Sequence, residues 1–213
     1  MSVSNIVDRD MKHMKNSKKE LMDCIMVPSN KNWTKSQLSY PNVDVFMKNG
    51  NENGCCCICG ISVINANAET LLNEIRDTKN WKKMDNMVEK TEFIDINETS
   101  RMIHFIYSGI TGIISKRDIV FMENIVRDND GTMMIVLSPT DLDMYKKQND
   151  CVRAELRSGG WIFKQISDNQ CYVVYHLNID FKFNMVNQQI MNLFASKIPT
   201  VISKLSAIVN KQN

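Results

Sequence analysis

Glycine and proline are scarce in this chain, with 8 Gly and 4 Pro among 213 residues. No glycine-rich loop runs into a helix and no Lys-Ser or Lys-Thr pair follows one, which removes the phosphate-cradling nucleotide binders. Histidine is rarer still, at 3. His13 sits in a basic stretch, while His104 and His176 lie inside strand-like runs, where a hydrogen-bonded structural role fits better than acid–base work. No Gly-x-Ser-x-Gly elbow marks a nucleophile. An enzyme is therefore not the expectation. Apolar runs reach only about ten residues, and a membrane-crossing helix needs about 18. Neither sign of charge dominates: 26 Lys and Arg against 24 Asp and Glu leave a net +2, which gives no broad pull toward nucleic acid. The one local basic run, Lys12, Lys15, Lys18 and Lys19, reads as a solvated helix face.

Cysteine is the residue not in short supply, at 7. Cys55, Cys56, Cys57 and Cys59 crowd into CCCICGISVI. Alternation along a strand sends Cys55, Cys57 and Cys59 to one face and Cys56 to the other. No second Cys pair or His-x-His completes a tetrahedral site, so neither a metal nor any other cofactor is expected. An odd count and no apolar leader over Met1 to Asp10 point to a reducing compartment, hence a soluble, cytoplasmic protein in this form. Export of a longer precursor is left open.

The length suits one large domain able to bury roughly 70% of the surface its unfolded chain exposes. Residues 1–30 read as a helical arm, with Leu21, Met22, Ile25 and Met26 behind a basic half and Pro28 stopping the helix. From residue 31 onward strands prevail. Val43 to Met47 and Cys55 to Ile64 form a hairpin across an Asn- and Gly-rich turn. Asn67 caps a short helix with Ala68, Leu71, Leu72 and Ile75 on one face, and Trp81 follows in an irregular segment. Glu89 to Asn97, Arg101 to Tyr107, Arg117 to Asp128 and Thr132 to Ser138 are four further strands. A polar loop, Pro139 to Asp150, precedes a last strand pair, Cys151 to Ser167 and Gln170 to Asp180. The chain then closes with one long amphipathic helix over Phe183 to Val209, its apolar stripe running through Val186, Ile190, Phe194, Val201 and Leu205. The order is that of an α+β fold in which a curved antiparallel sheet wraps a C-terminal helix.

One charge stands out against that sheet. If Arg117, Ile119 and Phe121 share the face that looks at the helix, a guanidinium enters an apolar chamber and must find an anion there, with Asp95, Glu98 and Asp118 the carboxylates near it in sequence. The competing reading has Arg117 facing solvent. Trp161, Tyr172, Tyr175 and His176 bring polar tips to the same chamber. The 15 Met suit a deformable apolar lining as well as ordinary core filling.

The segments Ser115–Phe121, Ile135–Pro139, Val152–Glu155, Ser158–Ile162 and Tyr172–Asp180, followed by the terminal helix, resemble the START lipid-transfer domains over about Trp33 to Val209. The resemblance implies a helix-grip fold with an internal tunnel for one lipid, residues 31–213 forming the domain. It also implies that Arg117 points into the tunnel, with Asp118, Tyr107, Trp161, Tyr172, Tyr175, Ile190 and Phe194 as further lipid-binding residues. Pro139 to Asp150 becomes the mobile loop at the mouth, where Leu142, Met144 and Tyr145 meet the membrane, and Pro199 the joint of a lifting helix. This chain has Phe181-Lys182-Phe183-Asn184 and Asn187 where the family has a glycine-rich turn and a helix-opening proline, so a differently shaped mouth is expected. The implied function is non-enzymatic transfer of a single lipid, a phosphatidylcholine-like phospholipid or a sterol, by a monomer that visits membranes transiently and binds no nucleic acid. A lipid-sensing regulatory domain and a cyclase-type helix-grip enzyme are the rival readings.

Overall fold

Ten runs dense in Val, Ile, Phe, Met and Cys pair into one sheet in the computed structural model, which describes residues 3–37, 41–48, 55–109, 114–142, 144–183, 192–193 and 196–211. The strands are β1 (Trp33–Lys35), β2 (Val43–Lys48), β3 (Cys55–Ile64), β4 (Val88–Asp95), β5 (Ser100–Tyr107), β6 (Lys116–Arg127), β7 (Met133–Ser138), β8 (Cys151–Arg153), β9 (Glu155–Ser167) and β10 (Gln170–Asp180). Their spatial order is β1-β2-β3-β10-β9-β7-β6-β5-β4, all antiparallel, with β8 alone lying parallel against β6. The expected strand Cys151 to Ser167 is thus two strands. Ala154 interrupts it, its N–H going to the Asp118 carbonyl at 2.9 Å.

Both faces of this sheet are covered, and strand alternation divides the apolar residues between two cores. On the inner face Ile103, Phe105, Ile119, Phe121, Trp161, Val173 and Tyr175 meet the helices α2 (Ala68–Arg76), α3 (Thr78–Met84) and α4 (Lys197–Val209). On the outer face Cys59, Ile61, Met134, Val136, Ile162 and Val174 pack against Leu21, Cys24 and Val27. Those three come from the expected arm, which is α1 (Val3–Asp23) running into a 3-10 turn, Cys24–Ser29, that contains Pro28. The cysteines obey the same rule: Cys56 joins the inner core and Cys59 the outer. All seven are buried free thiols.

Helix starts follow from side-chain caps. Asn67 accepts the N–H of Thr70 at 2.8 Å to open α2, and Asp77 accepts that of Lys79 at 3.0 Å to open α3, satisfying donors a first turn leaves bare. Trp81 is therefore helical rather than irregular. A 7-residue helix shows too little of its 3.6-residue period to be seen in sequence. At the other end, Arg76 and Arg101 flank the fully buried Glu123, at 3.1 and 2.7 Å, and tie α2 to β5 and β6.

The terminal helix is shorter in what is described than its apolar stripe predicts. Phe183 is not helical, and Lys182 turns the chain with φ of 54°, its N–H held by Asp180 Oδ1 at 2.9 Å. Ile190 and Phe194 lie outside the described residues. Regular helix runs from Lys197, and Pro199 stands in its first turn with no N–H to give. α4 then lies directly on β3, because position 60 has no side chain. A Cβ there would stand 2.4 Å from Ile198 Cγ2 and 2.7 Å from Ile202 Cδ1.

Two expectations come from this packing. Gly60→Ala forces α4 off the sheet and should lower stability by about 1–3 kcal/mol, read as an earlier urea midpoint with unchanged slope. Asp118 gives the second. Burial alone would raise its carboxyl, but the hydrogen bonds and charge of Arg153, with His104 and the Gln148 N–H, outweigh that and hold it below the usual range. A carboxyl lowered by folding stabilises fully above its unfolded value of about 3.9 and loses that contribution as pH falls through the folded value. Asp118→Asn should therefore cost about 1.5–3 kcal/mol at neutral pH and flatten the acid limb of stability against pH, which titrated urea unfolding would register.

Candidate functional site

The inner face of the sheet and the underside of α4 enclose a chamber. Its floor is Cys56 and Ile58 of β3 with Tyr175, Leu177 and Ile179 of β10, its roof Ile198 and Val201 of α4. Tyr107 at the end of β5, Asp85 and Met87 between α3 and β4, Phe181 and Lys197 close the sides. The free space is about 40 Å³, against roughly 300–1,000 Å³ for pockets that hold drug-sized ligands. A ligand of that size therefore requires the lining to move.

Few polar groups enter the chamber. Asp85 accepts the Met87 N–H at 3.0 Å, yet burial raises its carboxyl despite that bond and the charges of Lys197 and Lys204. Burial, and then the neighbouring Asp85, raises the phenols of Tyr107 and Tyr175, so both are neutral donors at physiological pH. Trp161 stacks on Tyr175 with ring centroids 3.9 Å apart and planes 9° from parallel. Its Nε1–H is fully buried without a hydrogen-bond acceptor among the described residues, as is that of Trp81. A buried donor left unmade costs about 1–3 kcal/mol.

Arg117 stands beside Tyr107, its cross-strand partner, and is 7% exposed. Its Nε donates to the Phe181 carbonyl at 3.1 Å, and its Nη1 to the Ser115 carbonyl and hydroxyl at 2.6 and 2.7 Å. The guanidinium carbon lies 4.8 Å from the centre of the Phe183 ring. Among the described residues no carboxylate pairs with it, and burial lowers its pKa. Asp95 lies opposite Arg101 on β5, and Glu98 follows in the turn.

Of the residues singled out from sequence, Arg117, Tyr107, Trp161 and Tyr175 come together on the inner face. Asp118 and Tyr172 do not. Each has the opposite parity on its strand and points outward, Asp118 to Arg153 at 2.7 Å and Tyr172 into the outer core. Asp118 also meets His104 at 3.3 Å, and His104 meets Glu92 at 3.4 Å, a structural histidine in a buried network. His176 likewise faces outward, its Nδ1 on the Ile58 carbonyl at 3.0 Å. The loop splits in two ways: Met144 is 51% exposed, whereas the Tyr145 ring lies 4.8 Å from that of His104 and its carbonyl accepts from Arg153 at 3.2 Å. Leu142 is half-buried and Pro199 buried. Sequence reasoning did not reach Asp85 or Lys197. Neither belongs to a periodic strand pattern, and only the fold brings them to the chamber.

No curated protein matches the chain by sequence. Its structure is similar to that of human StAR-related lipid transfer protein 5, with a TM-score of 0.82 at 15% identity, covering 96% of this chain and 98% of that one. Human STARD10 follows at 0.74 and 16%, covering 89% and 78%, and a STAR-related lipid transfer protein fragment from Xanthomonas axonopodis at 0.70 and 16%, covering 84% and 99%. The START domain family model matches residues 18–213. With the helix-grip architecture in place, this match makes the chain a member of the START domain family.

Proposed function

We propose that this protein is a non-enzymatic carrier of one lipid, a phospholipid of the phosphatidylcholine kind, taken up under α4. The observation that carries the reading is Arg117, a buried guanidinium on the chamber side whose described partners are backbone carbonyls, a hydroxyl and an aromatic ring. Carbonyl partners orient a guanidinium without neutralising it, and a buried cation of that kind favours an anion such as a lipid phosphate. Tyr107, Tyr175 and Asp85 supply what a choline group needs nearby, aromatic faces and a negative charge. The structural neighbours named as lipid transfer proteins support the class. Apolar walls contribute about 0.8 kcal/mol per buried methylene, which offsets the cost of drawing two acyl chains from a bilayer.

Uptake requires opening, and the joint we assign lies at the start of α4, where Ser196 keeps helical backbone angles and gives its N–H to the Asn192 carbonyl at 2.9 Å. Its hydroxyl donates to the Leu193 carbonyl at 2.7 Å, its own carbonyl takes the Thr200 hydroxyl at 3.0 Å, and Pro199 follows without an N–H. α4 lifts at this joint while Met144 contacts the bilayer. No described helix is long and apolar enough to cross a membrane.

Transfer of labelled phospholipid between vesicles, with native mass spectrometry of the loaded protein, tests the reading. Arg117→Met should fold, keep sterol or diacylglycerol, and lose phospholipid at least tenfold. A variant as stable as the parent that extracts phospholipid equally well removes Arg117 from head-group binding. Pro199→Ala, which restores a backbone donor in the first turn, should slow transfer several-fold with bound lipid unchanged; an unaltered rate excludes the joint from the mechanism. A protein that binds phospholipid yet never exchanges it is a sensor.

A further inference from the structure

α1 contributes to the outer core with one face only. Leu21 and Ser17 are buried, and Glu20 is turned inward onto the Ser158 hydroxyl. With 3.6 residues per turn, the opposite side carries Met11, Lys12, Lys15 and Lys19, while Met22 at its edge packs against the outer core. Lys12, Lys15 and Lys19 are exposed and have no ion-pair partner among the described residues. Lys18, at the margin, is already neutralised by Asp128 at 2.6 Å. Met11 is 48% exposed, and Met26, one turn past the end of α1, 62%. Of the acids of the helix, Asp10 takes the Thr140 hydroxyl and the Asp141 N–H, both at 3.0 Å, Asp23 borders the stripe, and Asp8 falls on it by helical spacing against its three lysines. The chain as a whole is nearly neutral, so this is a local cationic strip with thioether side chains set among the charges.

The same helix grips the base of the loop that carries Met144. Arg9 pairs with Asp141 at 3.2 Å, and His13 lies 3.8 Å from it. Met144, Lys146 and Lys147 then emerge exposed from that loop. A surface that held α1 would therefore hold the loop's base with it.

We infer that the outer face of α1, through Lys12, Lys15, Lys19, Met11 and Met26, is a docking surface for an anionic bilayer. Ammonium groups meet the negative lipid head groups while the methionines reach the boundary of the acyl region. The inference rests on the carrier reading for its purpose, since a carrier must meet the membrane it draws from, but binding to the surface is measurable apart from transfer.

The test uses the full chain and sedimentation with vesicles of phosphatidylcholine alone or with phosphatidylserine added. Each lysine near such a surface is worth about fivefold in partitioning, so Lys12→Gln, Lys15→Gln and Lys19→Gln combined should weaken binding to the anionic vesicles by about 100-fold. Thermal stability and the lipid adduct should not change, because these exposed side chains make no hydrogen bond or ion pair among the described residues. Added salt should reproduce the loss in the parent. Equal binding of triple variant and parent overturns the inference, as does a parent that prefers neutral vesicles or ignores both kinds yet binds a soluble polyanion. Loss confined to Lys146→Gln with Lys147→Gln also overturns it, by placing the contact on the loop. If the triple variant loses anionic vesicles while the parent transfers no lipid, docking stands and the carrier reading falls. Transfer by the parent alongside unchanged vesicle binding of the variant gives the reverse.

Discussion

The backbone of β3 at Gly60 touches the side chains of Ile198 and Ile202, and this close approach of helix to sheet sets the dimensions of everything beneath α4. A side chain at position 60 would act as a spacer. Without one, α4 descends until its isoleucines rest on the strand, and the chamber closes to a space far smaller than a phospholipid. The grip is thus made of contacts that are individually weak and collectively large. Among the described residues they involve no hydrogen bond or ion pair between α4 and the floor strands, so lifting breaks apolar contacts there. A ligand able to replace those apolar contacts with its own meets a roof that can yield.

A sheet buried on both faces places a severe demand on charge, and β6 shows how it is met. Arg117 and Asp118 are neighbours in sequence with opposite signs, yet alternation sends them to opposite cores. Outside, Asp118 Oδ2 takes Arg153 and His104, and Arg153 in turn donates to the Tyr145 carbonyl, which fastens that stretch to the sheet. Inside, Arg117 has carbonyls, a hydroxyl and a ring among the described residues. The ion pair that sequence proximity invites between the two cannot form across the sheet.

Most of the architecture was legible from residue order. Strands show as β-branched and aromatic runs, and the cap at Asn67, the hairpin around residues 49–54 and the split of Cys56 from its neighbours need only local rules. The site was legible only in part, because faces depend on register. Tyr172 and Tyr175 are three apart and cannot share a face of one strand, a constraint present in the sequence that placing both at the chamber overlooked. The same parity separates Asp118 from Arg117. Asp85 was out of reach for a different reason: it follows a short helix in a segment without periodicity, and only the closure of α3 against α4 makes it part of a chamber wall.

The polar groups that line the chamber share one property, which is that burial acts on each of them. The phenols of Tyr107 and Tyr175 are held neutral by it, and Asp85 keeps a carboxyl that burial destabilises in its charged form, while Trp161 stacks on Tyr175 from outside the lining, its Nε1–H without an acceptor among the described residues. Natural cores satisfy nearly all buried polar atoms. Among the described residues, the buried side-chain atoms that lack a hydrogen bond lie outside the chamber lining. Two phenols and an acid at the edge of an otherwise apolar floor, with the Arg117 guanidinium beside Tyr107, are what the proposed lipid would meet, its hydrocarbon body on the floor and its head group among the polar side chains.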